Sequence, residues 1–158
     1  MRHILEFMYT GHYNLPGGKT VPSNIYCNHD SAALKFGTPN GARIFKRKCP
    51  SSGMSLSPKH LLQHIRIYAI ADYFGMFELK KYARAGAGYV LHTHWDEDDL
   101  DLADALEEGF YNTPEEDRGI RQMLVAMLRL HPSLWVDEGD AATWLHENPE
   151  VLEKVEYD

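Results

Sequence analysis

The chain is poor in cysteine and contains no long apolar run. Cys27 and Cys49 are its two cysteines, and they form no Cys-x-x-Cys pair. Two thiols do not make a disulfide framework, so we expect a reducing compartment. No stretch approaches the ~20 apolar residues of a membrane span, and Glu6 interrupts the apolar run near the start, which argues against a signal peptide. These absences predict a soluble, intracellular protein of the cytoplasm or nucleus.

Positive charge is also scarce, and it is unevenly placed. The formal net charge of -7 argues against a nucleic-acid partner, because binding to a phosphate backbone needs a basic footprint. Residues 96–117 carry eleven Asp and Glu with no Lys or Arg, whereas residues 14–58 carry six Lys and Arg against one Asp. We therefore expect neither a nucleic-acid partner nor a membrane partner.

Signals for strands and for the common catalytic loops are nearly absent. The sequence contains no Gly-x-Ser-x-Gly elbow and no Gly-rich phosphate loop. Apolar residues recur instead at helical spacing, which predicts an all-α fold class. An apolar content of 44% and an aromatic content of 11% are sufficient for the core of one domain.

The helical signals divide the chain into four parts. Residues 1–13 hold a short helix and its end. Residues 14–58 lose periodicity, and about half of them are Gly, Pro, Ser, Thr or Asn, which predicts a mostly disordered polar insertion. Residues 59–94 predict a helical hairpin with Gly75 at the joint. Residues 95–158 predict a helical extension.

The first hairpin helix has a clear start and little polar surface. Ser57 suits its N-cap and Pro58 its first residue. Its apolar residues leave so little polar face that we expect the helix to be buried nearly all round. The second hairpin helix is expected at roughly 76–93, with inward-facing side chains at Leu79, Tyr82, Ala83 and Val90.

Helices are also predicted throughout the extension. One is expected at roughly 97–111, with an apolar stripe of Leu100, Ala103, Leu106 and Phe110. Thr113 as N-cap, Pro114 as first helical residue and Glu116 as the partner of a capping box predict the start of the next. The inner face of that helix is expected at Ile120, Met123, Leu124, Met127 and Leu128. A short helix from Asp140 to His146 follows, and Asn148-Pro149 begins a last turn or two.

Histidine offers two candidate metal sites. His60 and His64 are one helical turn apart, a spacing that suits two ligands of one ion. His92 and His94 are two residues apart and point away from each other on a helix. The absence of a Glu after His60 removes the zinc-protease pattern, so we predict no metal ligand at either place.

His64, Tyr68 and Asp72 share one helix face at intervals of four residues. Such a face could form an acid–base relay. Buried polar groups on an apolar helix more often tie down a neighbouring helix by hydrogen bonds. We favour that structural interpretation and predict no catalytic residue and no cofactor.

Two blocks of the chain resemble the C-terminal half of a BTB/POZ domain. "LEFMYTGHY" carries an aliphatic-x-Phe-x-Tyr-Thr-Gly pattern, and "LLQHIRIYAIADYFGMFELKKYA" carries a Tyr-x-x-Ala-Asp-x-aromatic core followed by Leu-Lys. The residues that carry this resemblance are Leu5, Phe7, Tyr9, Thr10, Gly11, Tyr68, Ala71, Asp72, Phe74, Leu79 and Lys80.

The block "FYNTPEEDRGIRQMLVAMLRLHPSLW" resembles the helical extension of a large fungal group of BTB-containing proteins. That group carries a Thr-Pro-Glu-x-Asp-Arg-x-aliphatic-Arg pattern and often a long polar insertion after Tyr-Thr-Gly. The matching residues here are Thr113, Pro114, Glu115, Asp117, Arg118, Ile120 and Arg121. The resemblance covers residues 1–13 and 59–150, with the insertion unaligned.

The resemblance implies a non-catalytic protein–protein interaction module, an adaptor or scaffold in ubiquitin-ligase or transcription-linked complexes. It also implies a truncated domain, because the half that supplies the family's sheet, its dimer interface and much of its cullin-docking surface has no counterpart here. Homodimer formation and binding to a cullin-type scaffold therefore stay open. Hairpin faces that pack on that half are expected to expose apolar surface, which attracts partners.

Two alternatives stay open besides an interaction module. One is a small helical enzyme that depends on a metal ion or on the His/Asp face. The other is a gene fragment without independent function.

Overall fold

The computed structural model describes residues 2–10, 13–15, 19–21, 57–136 and 139–157. Those residues form eight helices and one two-stranded hairpin, so the predicted all-α class is confirmed. The elements are α1 (Arg2–Thr10), β1 (Tyr13–Leu15), β2 (Lys19–Val21), α2 (Leu61–Tyr73), α3 (Phe77–His94), α4 (Leu102–Tyr111), α5 (Arg118–Leu130), α6 (Ser133–Val136), α7 (Asp140–Glu147) and α8 (Pro149–Tyr157). No helix among the described residues combines the length and apolarity that a membrane crossing requires.

The two strands lie at the start of the predicted insertion. They pair antiparallel, with Tyr13 opposite Val21 and Leu15 opposite Lys19. Tyr13 and Leu15 are buried, so β1 covers part of the core. Strands of three residues are too short to give a recognisable alternation, which is why the sequence showed no strand here. Residues 16–18 and 22–56 of the predicted insertion lie outside the described residues.

The predicted helical hairpin is present as α2 and α3. Gly75 lies between them with a φ of 64°, a left-handed conformation that glycine adopts without steric cost. The α3 side chains predicted to face inward are all buried. The prediction for α2 is wrong, because Ile70 is 37% and Phe74 is 50% exposed. One face of α2 is therefore open to solvent.

The helix predicted at 97–111 is broken near its start. A 3₁₀ turn at Asp98–Leu100 precedes α4. Asp101 separates the two with a φ of 49°, a conformation that Asp tolerates better than most non-glycine residues. The apolar stripe of the prediction is retained, because Leu106 and Phe110 are buried.

The predicted start of α5 is wrong by four residues. Thr113 is not its N-cap, because the Thr113 hydroxyl donates back to the Gly109 carbonyl at 2.5 Å. A turn follows, in which the Asp117 N–H donates to the Pro114 carbonyl. Asp117 is the N-cap instead, and its carboxylate accepts from the Gly119 N–H at 2.8 Å. The inner face predicted for this helix is buried as expected.

Of the C-terminal helices, α7 packs on α4 and α8 packs on α5. The short helix predicted from Asp140 is confirmed as α7. α8 is a full nine-residue helix, longer than the predicted turn or two. Its Val151 and Val155 are buried, and Arg129 of α5 donates from Nε to the Val155 carbonyl at 3.0 Å. This contact satisfies a carbonyl that α8 leaves unpaired at its C-terminal end.

Substitution of Gly86 tests how closely α2 and α3 approach. A Cβ built at Gly86 would lie 2.6 and 2.8 Å from the ring nitrogens of the buried His64. We expect Gly86→Ala to lower the free energy of unfolding by about 1–3 kcal/mol through overpacking. In a His64→Ala background the same change should be neutral or stabilise by up to about 1 kcal/mol, since alanine favours helix.

Urea unfolding of the wild type, both single variants and the double variant measures this coupling. Equal costs of Gly86→Ala in the two backgrounds would contradict the proposed close approach.

Candidate functional site

Four polar side chains converge where α2, α3 and α5 meet. Lys80 of α3 places its Nζ 2.5 Å from Asp72 Oδ1 of α2 and 2.6 Å from Asp117 Oδ2 at the start of α5. The Tyr68 hydroxyl of α2 lies 2.7 and 2.8 Å from the two Asp117 oxygens and donates to that carboxylate. We call Tyr68, Asp72, Lys80 and Asp117 the Asp117 cluster. It joins three residues of the second BTB/POZ-like block to Asp117, which belongs to the block that resembles the helical extension.

The cluster is only partly open to solvent, and its contacts shift the pKa values of Asp117 and Lys80. The Asp117 side chain is 10% exposed and that of Lys80 is 22% exposed. Burial raises the pKa of Asp117, but hydrogen bonds from Lys80, Tyr68 and the Gly119 N–H outweigh it and hold that pKa below its usual value. Burial lowers the pKa of Lys80, and hydrogen bonds to Asp117 and Asp72 reverse this and raise it above its usual value.

The local sequence explains how Asp117 reaches this position. The turn from Pro114 to Asp117 ends at the N-terminus of α5. A carboxylate is favoured there by the helix dipole and by unpaired backbone N–H groups. Lys80 lies on the first turn of α3, opposite the last turn of α2. The short joint around Gly75 therefore brings Asp72 and Lys80 together.

The chemistry of the cluster is that of a fixed ion pair. At neutral pH Asp117 is an anion, Lys80 a cation and Tyr68 a neutral phenol whose pKa is raised by burial and by Asp117. A general acid or base works best with a pKa near the operating pH, and these pKa values are displaced from neutrality. The cluster is therefore suited to holding three helices together.

The acid–base face suggested by the sequence is not assembled. Tyr68 points to Asp117 and Asp72 to Lys80. His64 is fully buried elsewhere, with Nδ1 2.6 Å from the Tyr13 hydroxyl. Each of these groups ties α2 to another element by a hydrogen bond. The sequence missed both Tyr13 and Asp117 as partners, which lie 51 and 49 residues away along the chain.

His64 is a buried, neutral histidine. Burial lowers its pKa to about 3, and the nearby His60 adds to the effect. Its Nε2 has no hydrogen-bond partner among the described residues. The nearby His60 accepts at Nδ1 from the Ser57 N–H at 3.0 Å.

The second histidine pair also has other contacts. His94 Nδ1 lies 2.6 Å from Glu97 Oε1. Burial and the nearby His131 lower the pKa of His92, and the His131 ring stacks on Trp95 with ring centroids 3.8 Å apart. Within the described part of the chain, no group of three or more His, Cys, Asp or Glu could hold a metal ion.

Arg121 makes a second junction, between α4 and α5. Its Nη2 donates to the Phe110 carbonyl at 2.6 Å and to the Thr113 carbonyl, and its Nε donates to Thr113 Oγ1 at 3.1 Å. Its guanidinium also lies 5.5 Å from the centroid of the Phe110 ring. Arg121 therefore satisfies carbonyls at the C-terminal end of α4.

The remaining residues of the resemblance have separate positions. Leu5 is exposed, whereas Phe7 is half-buried. The Phe7 ring packs on the Tyr82 ring, with centroids 5.7 Å apart. Gly11 lies outside the described residues. Tyr9 and Thr10 lie in the last turn of α1. Ala71 and Leu79 are buried, and Phe74, Pro114 and Arg118 are exposed.

The open face of α2 borders a groove of about 350 Å³. α2 contributes Ala69, Ile70, Tyr73 and the adjoining Phe74 to its lining, and Arg66 lies farther along the same face. The opposite wall comes from Glu108 of α4 and from Asn112, which ends that helix. We call this feature the aromatic groove.

Aromatic side chains near the joint of the hairpin are strongly exposed. Tyr73, which lines the groove, is 85% exposed, and Phe77, the first residue of α3 and three positions after the groove residue Phe74, is 78% exposed. The Tyr73 and Phe74 rings contact each other edge to face, with centroids 5.1 Å apart. The apolar surface that the resemblance implied on the hairpin is therefore present. In the sequence, the position of these aromatic residues at the end of α2 is the feature that could have distinguished them from core residues.

Substitution of Asp117 tests the Asp117 cluster. We expect Asp117→Ala to lower the free energy of unfolding by about 2–4 kcal/mol, because it removes the N-cap and leaves Lys80 half-buried without one carboxylate. Asp117→Asn should cost less, since asparagine is also a good N-cap. Urea unfolding followed by circular dichroism gives these values.

Glu115→Ala is the matched control, because Glu115 is exposed on the same turn and such changes stay within about 0.5 kcal/mol. If Asp117→Ala lowers the free energy of unfolding no more than the control does, the cluster does not stabilise the fold.

The neutral His64 predicts a loss of stability in acid. Its pKa is about 3 in the folded chain against an ordinary value of about 6.5. Between these values the unfolded chain binds more protons, so the free energy of unfolding falls as pH falls, by at most about 1.4 kcal/mol per pH unit. This contribution is complete above about pH 6.5.

His64→Phe lacks the titrating group and should show a shallower decline in urea unfolding between about pH 6.5 and pH 4.5. His92 and His131 titrate in both proteins, so their contributions cancel in the comparison. Parallel pH profiles would contradict the assignment of a buried neutral His64.

Comparison with known proteins adds no relative to this picture. No protein-family model, no curated protein and no solved structure matches the chain. The resemblance to a BTB/POZ domain therefore depends on the motif residues quoted above. The function has to be inferred from the geometry of the described residues.

Proposed function

We propose that the protein is a non-catalytic protein–protein interaction module whose docking surface is the aromatic groove. The exposure of Tyr73 and Phe77, at 85% and 78%, is the observation that carries this proposal. Large aromatic side chains are enriched at interfaces and supply most of the energetic hot spots. Contiguous apolar surface rimmed by polar residues is typical of an interaction site.

The position of the groove on a rigid support favours the same role. The Asp117 cluster ties α2 and α3 to the start of α5 directly below the hairpin end. The salt bridge between Arg66 Nε and Glu108 Oε2, at 3.1 Å, ties α2 to α4 at the groove itself. A surface that is already ordered loses less conformational entropy when a partner binds.

The finer identity follows the resemblance. We propose a BTB/POZ-like module of the fungal type, acting as an adaptor or scaffold in ubiquitin-ligase or transcription-linked complexes. The scarcity of cysteine supports an intracellular site of action. If this identity is correct, two partners should be tested first. They are a cullin-type scaffold and a second copy of the chain.

Site-specific photo-crosslinking tests the proposal. A benzophenone amino acid at position 73 or 77 should capture a defined partner protein in cells. The recovered partner, once purified, should bind the wild type directly in calorimetry, and Tyr73→Ser combined with Phe77→Ser should weaken that binding at least about tenfold, as loss of aromatic hot spots does.

The same probe at Val136, an apolar position that is 66% exposed on α6, is the control for general stickiness. Identical adducts at positions 77 and 136, or an unchanged affinity of the double serine variant, would refute a docking role for the groove.

A further inference from the structure

The aromatic groove and the exposed aromatic side chains near it form a surface that is complementary to itself. We propose that this surface is the interface of a two-fold symmetric homodimer, in which each copy inserts an aromatic side chain into the groove of the other. This inference rests on the proposed function and names the partner as a second copy of the chain. It follows from the shape, the charge balance and the exposed area of the surface.

The surface carries both a recess and projections. The recess is the groove of about 350 Å³ that α2 and α4 line, which is large enough for an aromatic side chain. The projections are Tyr73 and Phe77, which are 85% and 78% exposed. A two-fold interface uses the same patch on both copies, so the patch has to be complementary to itself. A recess and projections on one patch meet that requirement.

The groove is electrically balanced. Arg66 and Glu108 are the charged residues of its lining, and they form a salt bridge with Nε and Oε2 3.1 Å apart. Two copies that meet through this lining therefore bring no excess of like charge together and leave no buried charge unpaired. The net charge of -7 on each copy opposes association from a distance, but dissolved salt screens that repulsion.

The exposed apolar area is sufficient for a reversible dimer. Tyr73, Phe74 and Phe77 are 85%, 50% and 78% exposed. Since a buried aromatic side chain removes roughly 150–250 Å² from water, these three can bury roughly 300–500 Å² on each copy. A standard interface takes about 800 Å² from each partner. The aromatic side chains therefore provide about half of that area, and the groove floor around Ile70 adds to it.

Analytical ultracentrifugation of the full chain tests the homodimer. Sedimentation velocity between about 1 and 200 µM should show a monomer–dimer equilibrium, because interfaces of standard size reach micromolar affinity or better. Tyr73→Ser combined with Phe77→Ser should weaken the dimer at least about tenfold. Val136→Ser, at an exposed apolar position on α6, is the control and should change the dissociation constant by no more than about twofold. Circular dichroism confirms that each variant is folded.

Salt distinguishes an apolar contact from one that depends on charge. The dissociation constant should fall as NaCl rises from about 50 to 300 mM, because salt screens the repulsion between two acidic chains. A dimer that dissociates as salt rises would overturn the inference, since its contact would depend on ion pairs between the copies.

Photo-crosslinking of the purified chain locates the contact. A chain with a benzophenone amino acid at position 77 is mixed with isotope-labelled wild type, so that mass spectrometry identifies adducts between copies. The adducts should lie on the groove residues of α2, from Arg66 to Phe74. Adducts that map only outside α2 and α4 would overturn the inference, as would a dimer that the double serine variant does not weaken.

The outcomes distinguish this inference from the proposed function. If the chain stays monomeric throughout this concentration range while position 77 crosslinks a different protein in cells, the homodimer is refuted and the interaction module stands. Identical adducts at positions 77 and 136 would refute both.

Discussion

The carboxylate of Asp117 meets the ammonium group of Lys80 at the point where three helices converge, and the architecture depends on that contact. Ions placed in a partly buried site lose hydration, and the loss is offset only when further hydrogen bonds complete the site. Here the carboxylate accepts from Lys80, Tyr68 and the Gly119 N–H, while Lys80 also reaches Asp72. The pair therefore fixes where α5 begins and how it lies against the hairpin.

The same arrangement leaves one face of α2 available for binding. Tyr68 and Asp72 turn toward Asp117 and Lys80, which places Ile70 and Tyr73 on the other side of the helix. α4 contacts this side through Glu108 but does not cover it. A helix held firmly on one face and open on another presents a preformed surface, so the stabilising cluster and the aromatic groove are two consequences of one packing arrangement.

Sequence periodicity predicted the parts of this fold that depend on local signals. The hairpin, the left-handed Gly75 and the inner face of α5 follow from spacing and from the conformational freedom of glycine. The predicted start of α5 was wrong because Thr113-Pro114 matches a local capping pattern. In the structure the Thr113 hydroxyl donates instead to the Gly109 carbonyl of α4. The contacts of Asp117 with Tyr68 and of His64 with Tyr13 join residues about fifty positions apart, and single-sequence periodicity contains no information on such pairs.

The exposure of α2 was missed for a related physical reason. Hydrophobicity alone does not distinguish an apolar residue that packs in a core from one that serves an interface, since the two environments are similar in composition. The motif residues Tyr68, Lys80 and Asp117 hold helices together, so a resemblance carried by them concerns the fold. Tyr73, which lines the proposed docking groove, lies outside those motifs. The proposed interaction therefore depends on a residue that carries none of the resemblance.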